Sequence, residues 1–335
     1  SLAPRFHNLM GFLPPEVGDV LRAVGANEEQ LPALARDMKR WYDGYCFSTE
    51  GDFPAIYNPD MVLYFAKEYQ HRQAYPARML DTNIASDYGK IRRIFQIGGQ
   101  DAAHFESLRR LLAEGRIVSP VTDQFSFEKS FSQEDFLSLL FYMGMLTIQG
   151  DRLGIPILGI PNTVVEKLFF DYFRDWIGTK IDQIPQALRV QELVLDMAEH
   201  NRPEPLLQLA AETLAQVSNR DFLQFNETGL KMILLSYLYS SQLYYLRSEH
   251  EVGQGYVDLL LLRRQPYPAP HQFVFELKYL KKKDAGKLEA ALATGRDQLR
   301  RYLQREELRH ETGLRAWLAV YVGAELAHVE EVGVE

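Results

Sequence analysis

Between Gly255 and Lys278 the chain places charge where a strand needs apolar side chains. Gly255-Tyr256-Val257-Asp258-Leu259-Leu260-Leu261 reads as a strand bound for a core, and Asp258 is its one charge. A charge amid such a run is expensive unless it finds a partner. The next strand-like run, Phe273-Val274-Phe275-Glu276-Leu277-Lys278, offers one. Strand alternation sends residues i and i+2 to the same face, so Glu276 and Lys278 converge while Leu277 points into the core. This part of the chain must therefore build a sheet in which neighbouring strands bring Asp258, Glu276 and Lys278 together.

That grouping suits phosphodiester cleavage, which needs a nucleophilic water, stabilisation of charge on the scissile phosphate and help for the leaving oxygen. Carboxylate-held Mg²⁺ or Mn²⁺ supplies the last two and lowers the pKa of a bound water. A nearby lysine orients the phosphate or assists deprotonation of the water. Glu276-Leu277-Lys278 is the only Glu-x-Lys in the sequence. Asp37-Met38-Lys39 has a related spacing but falls in a helical stretch, where i and i+2 diverge. The plain alternative is an inter-strand ion pair between Lys278 and a carboxylate. Over Lys287–Arg305 an amphipathic helix is expected, with Gln298 and Tyr302 four apart on one face and Arg301 and Arg305 beside them. Glu227 opens an apolar helix, where it either reaches a metal centre or favours the helix dipole. Glu249 and Glu251, before the Gly253-Gln254-Gly255 turn, are either ligands or exposed turn acids.

Along the rest of the chain, Glu28–Tyr45 and the stretch from Asn58-Pro59 to Tyr69 carry helical spacing, and Ile91–Gly115 is a helix broken at Gly98-Gly99. Ser132 to Asp135 starts a helix over Phe136–Met143. Two short strands (Met145–Gln149, Leu153–Leu158) and a helix from Thr163 to about Trp176 complete a unit with winged-helix order. Pro185–Ser218 reads as two helices hinged at Arg202-Pro203-Glu204-Pro205. The remainder runs helix (Glu227–Ser240), strands (Leu243–Arg247, Tyr256–Leu262, Phe273–Leu277), helix, strand (Ala316–Val322).

The 335 residues carry a formal charge of -8. From Asn219 onward there are 16 basic and 16 acidic residues, so the acidity lies entirely upstream, and Lys278–Arg309 holds ten basic against five acidic residues. That local excess is compatible with phosphate contacts. Cys46 is the only cysteine, which excludes an internal disulfide and points to a reducing cytoplasm. No apolar run approaches the roughly 20 residues of a membrane span, and Ser1–His7 lacks the features of a signal peptide. Without an initiating Met, Ser1 is expected to lie inside a larger gene product, after a processing site or at an imposed boundary.

These segments resemble a family of bacterial proteins that join a predicted AAA-ATPase-like region to a C-terminal PD-(D/E)XK nuclease domain. The resemblance runs through Trp41-Tyr42-Asp43-Gly44-Tyr45-Cys46-Phe47 and Tyr57-Asn58-Pro59, then weakly through Tyr75-Pro76 to Asp81-Thr82-Asn83. It continues in Phe141 to Thr147, Ile160-Pro161-Asn162, Asn226-Glu227, Ser248-Glu249 to Gly253, Gly255-x-x-Asp258, Phe275 to Lys278, and Gln298 with Tyr302. What it implies is a mixed α+β chain: a helical, ATPase-lid and winged-helix-like region over 1–180, a helical linker over 181–218, and a restriction-endonuclease-like αβββαβ domain over 219–335. It implies a nuclease that uses Mg²⁺ or Mn²⁺, with Asp258 and Glu276 as metal ligands and Lys278 as the catalytic lysine. Glu227 would be a further ligand, with Gln298 and Tyr302 accessory. Nucleic acid is the implied partner, DNA before RNA, with a homo-oligomer and an upstream ATPase segment as further partners and no membrane. Relatives commonly carry Arg two residues before the motif Asp, where this chain has Tyr256. No G-x-x-x-x-G-K-[ST] loop occurs, so ATP is not expected to bind this segment. The alternative expectation is a catalytically silent regulatory or scaffolding protein that keeps the nuclease fold.

Overall fold

A computed structural model describes residues 8–9, 11–49, 53–81, 91–95, 101–122, 125, 131–181, 185–218, 223–252, 255–309 and 311–333, with side chains at 91, 92, 101, 249–252 and 255–256 excepted. The chain divides into two compact units, Ser1–Tyr172 and Phe173–Glu335. Among the described residues no helix is long and apolar enough to cross a membrane. The expected break at Gly98-Gly99 and the Thr82-Asn83 part of the resemblance lie outside the described residues.

The first unit opens with helices α1 (Pro14–Ala23), α2 (Leu31–Tyr42) and α3 (Pro59–Arg72). Asn58 caps α3 by accepting from the Met61 amide at 3.2 Å, with Pro59 following at the position where its missing N–H costs nothing. Helices α4 (Ile91–Phe95) and α5 (Asp101–Glu114) follow, then strand β1 (Arg116–Val118). Ser132 and Asp135 form the reciprocal cap expected at the start of α6 (Gln133–Tyr142). Strands β2 (Thr147–Arg152) and β3 (Ile155–Gly159) make an antiparallel hairpin, and β1 adds to it in the order β1-β3-β2. Asn162 holds the entry to α7 (Thr163–Gly178), accepting from the Val165 amide and donating to the Asp43 carbonyl at 3.0 Å. Gly44 (φ +102°) is required here, because a Cβ would collide with the Pro161 carbonyl.

In the second unit, helices α8 (Ala187–His200) and α9 (Glu204–Ser218) occupy the stretch expected as a helical linker. They are fastened to the rest of that unit. The Tyr321 hydroxyl donates to the Leu207 carbonyl, the Trp317 indole to Asn201 Oδ1 at 3.0 Å, and Thr213 bonds Tyr237 at 2.6 Å. Pro203 and Pro205 fall at the start of α9, where proline is tolerated.

Helix α10 (Glu227–Ser241) leads into a five-stranded sheet of β4 (Tyr244–Val252), β5 (Gly255–Arg263), β6 (Gln272–Leu280), β7 (Leu314–Val322) and β8 (Glu325–Glu331), in that order. β4-β5-β6 is an antiparallel meander and β6 to β7 a parallel pair. The crossover between them carries a short 3₁₀ segment (Lys282–Lys287), α11 (Leu288–Leu303) and α12 (Glu306–Arg309). The expected αβββαβ order is present. β8, which the sequence reading did not anticipate, pairs antiparallel with β7 beyond a turn at Gly323 (φ +61°). Leu260, Val274, Leu318 and Val320 share a core with Leu292, Leu299 and Tyr302 of α11. Alternation gives Phe273, Phe275 and Leu277 to the opposite face, all of them buried.

Candidate active site

The ladder between β5 and β6 begins at Leu261↔Phe273 and ends at Leu259↔Phe275. One step further, at Asp258 and Glu276, the strands part. β6 stays paired with β7 along its whole length, with Glu276 opposite Leu318 and Lys278 opposite Val320. The Leu277 amide thus loses a strand partner on its β5 side, and Asp258 Oδ2 accepts its hydrogen at 2.8 Å. A backbone donor that would be costly to leave unmet is satisfied by an acidic side chain.

Glu276 is 2% exposed. Its Oε1 accepts from Lys278 Nζ at 2.5 Å, while its Oε2 is buried with no hydrogen-bond partner among the described residues. Burial and the neighbouring charge of Asp258 push its pKa up to about 7, against the pull of Lys278. Burial presses the Lys278 ammonium towards neutrality, but its bond to Glu276 and the charges of Glu276, Asp258 and Glu227 outweigh that and raise its pKa.

Helix α11 turns Gln298 and Tyr302 towards this group. Burial and then the charge of Glu276 raise the Tyr302 pKa, with Asp258 adding to it, and Gln298 hydrogen-bonds the hydroxyl. Gln298 Oε1 is buried with no hydrogen-bond partner among the described residues. Arg301 and Arg305 are exposed, and Arg301 donates to the Asp297 carbonyl of its own helix. Glu227 is half-buried in the first turn of α10, which Asn226 caps by accepting from the Gly229 amide. Its charge reaches Glu276 and Lys278. The side chains of Glu249, Glu251 and Tyr256 lie outside the described residues.

The structure adds a residue that the sequence reading passed over. Lys231, one helical turn after Glu227, is 7% exposed and places Nζ 3.3 Å from Asp258 Oδ1. The signal was a single ammonium within the run Leu230-Lys231-Met232-Ile233-Leu234-Leu235. Among the described residues, no group of three or more His, Cys, Asp or Glu side chains is set out as a metal cage. The carboxylates are instead paired with lysines, Asp258 with Lys231 and Glu276 with Lys278.

A buried acidic pair with an unmet oxygen, a lysine on the same strand face and amide and hydroxyl groups overhead can receive a cation and an anionic oxygen together. Residues 225–331 match the family model described as PD-(D/E)XK nuclease superfamily, and this stretch is a domain of that superfamily. Its mixed sheet and flanking helices are consistent with a restriction-endonuclease-like fold. No curated protein matches the chain.

Proposed function

We propose that residues 225–331 form a metal-dependent nuclease in which Asp258 and Glu276 hold Mg²⁺ or Mn²⁺. The observation that carries this reading is Glu276 Oε2, a buried carboxylate oxygen without a hydrogen-bond partner among the described residues, beside a second carboxylate. Buried polar atoms are ordinarily met, and a divalent cation would meet this one while relieving the repulsion between the acids. Glu227 is the outer carboxylate of the set. When bound, the metal supplies charge neutralisation at the phosphate and a more acidic water.

The remaining work falls to the chain itself. Lys278 orients the attacking water and shares its proton with Glu276 Oε1, which it already touches. Tyr302, held protonated by burial and the acidic surroundings, donates its hydrogen to a phosphate oxygen, with Gln298 fixing the hydroxyl. The exposed Lys281, Lys282 and Lys283 directly after β6 lie where a nucleic-acid backbone would continue beyond the site. DNA is the first substrate to test and RNA the second.

The second reading is a silent scaffold that retains the fold. The pairing of both carboxylates with lysines favours it, since the site is charge-balanced without metal. For the first unit we retain the reading of a trailing ATPase-like region. Its α6-β2-β3-α7 order supports a winged-helix-like part, and an upstream ATPase segment, a homo-oligomer and a cytoplasmic setting remain part of the proposal. The test is a panel of single- and double-stranded DNA and RNA, with Mg²⁺, Mn²⁺ or EDTA. Metal-dependent cutting that Lys278→Ala lowers about 10²–10⁴-fold supports the nuclease. Neither cutting nor metal binding by the wild type supports the scaffold.

A further inference from the structure

Lys231 is the least expected charge in the second unit. Every residue of α10 from Gly229 to Tyr239 is buried, and an ammonium in such a helix is costly unless it is matched. Its match is Asp258 Oδ1, at 3.3 Å, while Oδ2 of the same carboxylate holds the Leu277 amide. Both oxygens of the first candidate metal ligand are thus engaged by the protein. Two carboxylates, Asp258 and Glu276, face two ammonium groups, Lys231 and Lys278. A divalent cation arriving here meets a resident cation on one of its own ligands, and like charges at that range repel strongly in a poorly solvated site.

Resting on the nuclease reading above, we propose that Lys231 is a built-in counter-ion that occupies Asp258 in the metal-free protein and gives way to the divalent cation. It is a positioning residue that sets metal affinity low and keeps the parted strands in place while the site holds no metal. The lysine side chain suits this task, because its four-carbon stem lets the ammonium move without shifting the helix. Glu227, one turn earlier on the same helical face, lies within reach of the displaced ammonium.

The experiment uses the full chain with K231M, K231Q and K231R, Mn²⁺ binding by calorimetry, and thermal unfolding in EDTA and in saturating Mn²⁺. The neutral variants are expected to bind Mn²⁺ at least about tenfold more tightly than wild type, since a like charge has been removed. In EDTA they melt below wild type, and saturating Mn²⁺ removes the difference. K231R, which keeps the charge, stays near wild type in both. Neutral variants that bind Mn²⁺ no more tightly than a wild type that does bind it overturn this inference alone. Variants whose deficit persists in saturating Mn²⁺, or that fold in neither medium, overturn it as well. If wild type and variants alike take up no Mn²⁺, the metal-dependent reading falls and this inference falls with it.

Discussion

Replacing Gly295 with alanine tests whether α11 is held at a fixed distance from the sheet. Local propensity alone favours the change, since glycine inside a helix costs about 1 kcal/mol relative to alanine. The packing opposes it. A Cβ at 295 would overlap Leu318 Cδ1 and come within 3.0 Å of Cδ2 and 3.3 Å of Cγ. Leu318 is fully buried on β7, directly opposite Glu276 in the parallel ladder, so it has little room to yield. Restoring ordinary carbon contacts of about 3.5–4 Å requires the helix or Leu318 to move by roughly 1 Å. Overpacking of this kind costs about 1–3 kcal/mol, which leaves about 0–2 kcal/mol of net destabilisation after the propensity gain. Gln298 and Tyr302 are three and seven positions further along the same helical face, so the displacement reaches the groups above Glu276. A misplacement of about 1 Å lowers turnover by up to about 100-fold. Urea unfolding and cleavage kinetics on Gly295→Ala check both numbers, and Leu318→Val in the same chain should recover part of each. A Gly295→Ala protein more stable than wild type, with cleavage unchanged, would refute the claim that this close approach sets the height of the helix over the site.

Glu276→Gln removes a buried charge that burial and Asp258 both disfavour, so in EDTA it should melt at or above the wild-type temperature while abolishing metal-dependent cleavage. Lys278→Met leaves Glu276 without the ammonium it is paired with and should lower both stability in EDTA and activity, as read by thermal melts and gel assays. In the first unit, burial raises the pKa of Asp43, whose Oδ1 has no hydrogen-bond partner among the described residues. The folded protein therefore holds that proton more tightly than the unfolded chain, and stability from this group is lost as pH rises above the ordinary value of 3.8. Asp43→Asn should be the more stable protein at neutral pH, with the difference shrinking as melts are taken towards pH 4.

Much of the second unit was legible because its chemistry conflicts with its hydropathy. Asp258 and Glu276 stand out as charges in strands that are otherwise apolar, and period-2 alternation was enough to put Glu276 and Lys278 on one face. The four-residue spacing of Gln298 and Tyr302 likewise survived into a shared face turned to the site. Lys231 was missed because α10 is buried all round, so no periodicity marked one of its faces as special. β8 was missed because Glu325, His328, Glu330 and Glu331 dilute its alternation, as an edge strand half open to solvent allows. The prolines at 203 and 205 marked the break between two helices, Ala187–His200 and Glu204–Ser218, that the structure shows there. Nor could any pattern in the sequence tell that the β5-β6 ladder stops at Leu259, since that depends on where two strands part in space.

Asp258 serves two masters, and this bears on how loss of activity would look in a chain of this architecture. Its Oδ2 closes a gap in the sheet by taking the Leu277 amide, a duty that persists whether or not any phosphodiester is ever cut. A domain drifting from enzyme to scaffold would be free to discard the glutamate at 276, a buried charge whose removal is expected to leave the fold no less stable. It would keep the aspartate at 258, because the strand beside it needs an acceptor. In a silent descendant, the first letter of the motif would therefore outlive the second. By this reasoning the identity of residue 276, more than that of residue 258, would be the character that tells a working nuclease from its retired form.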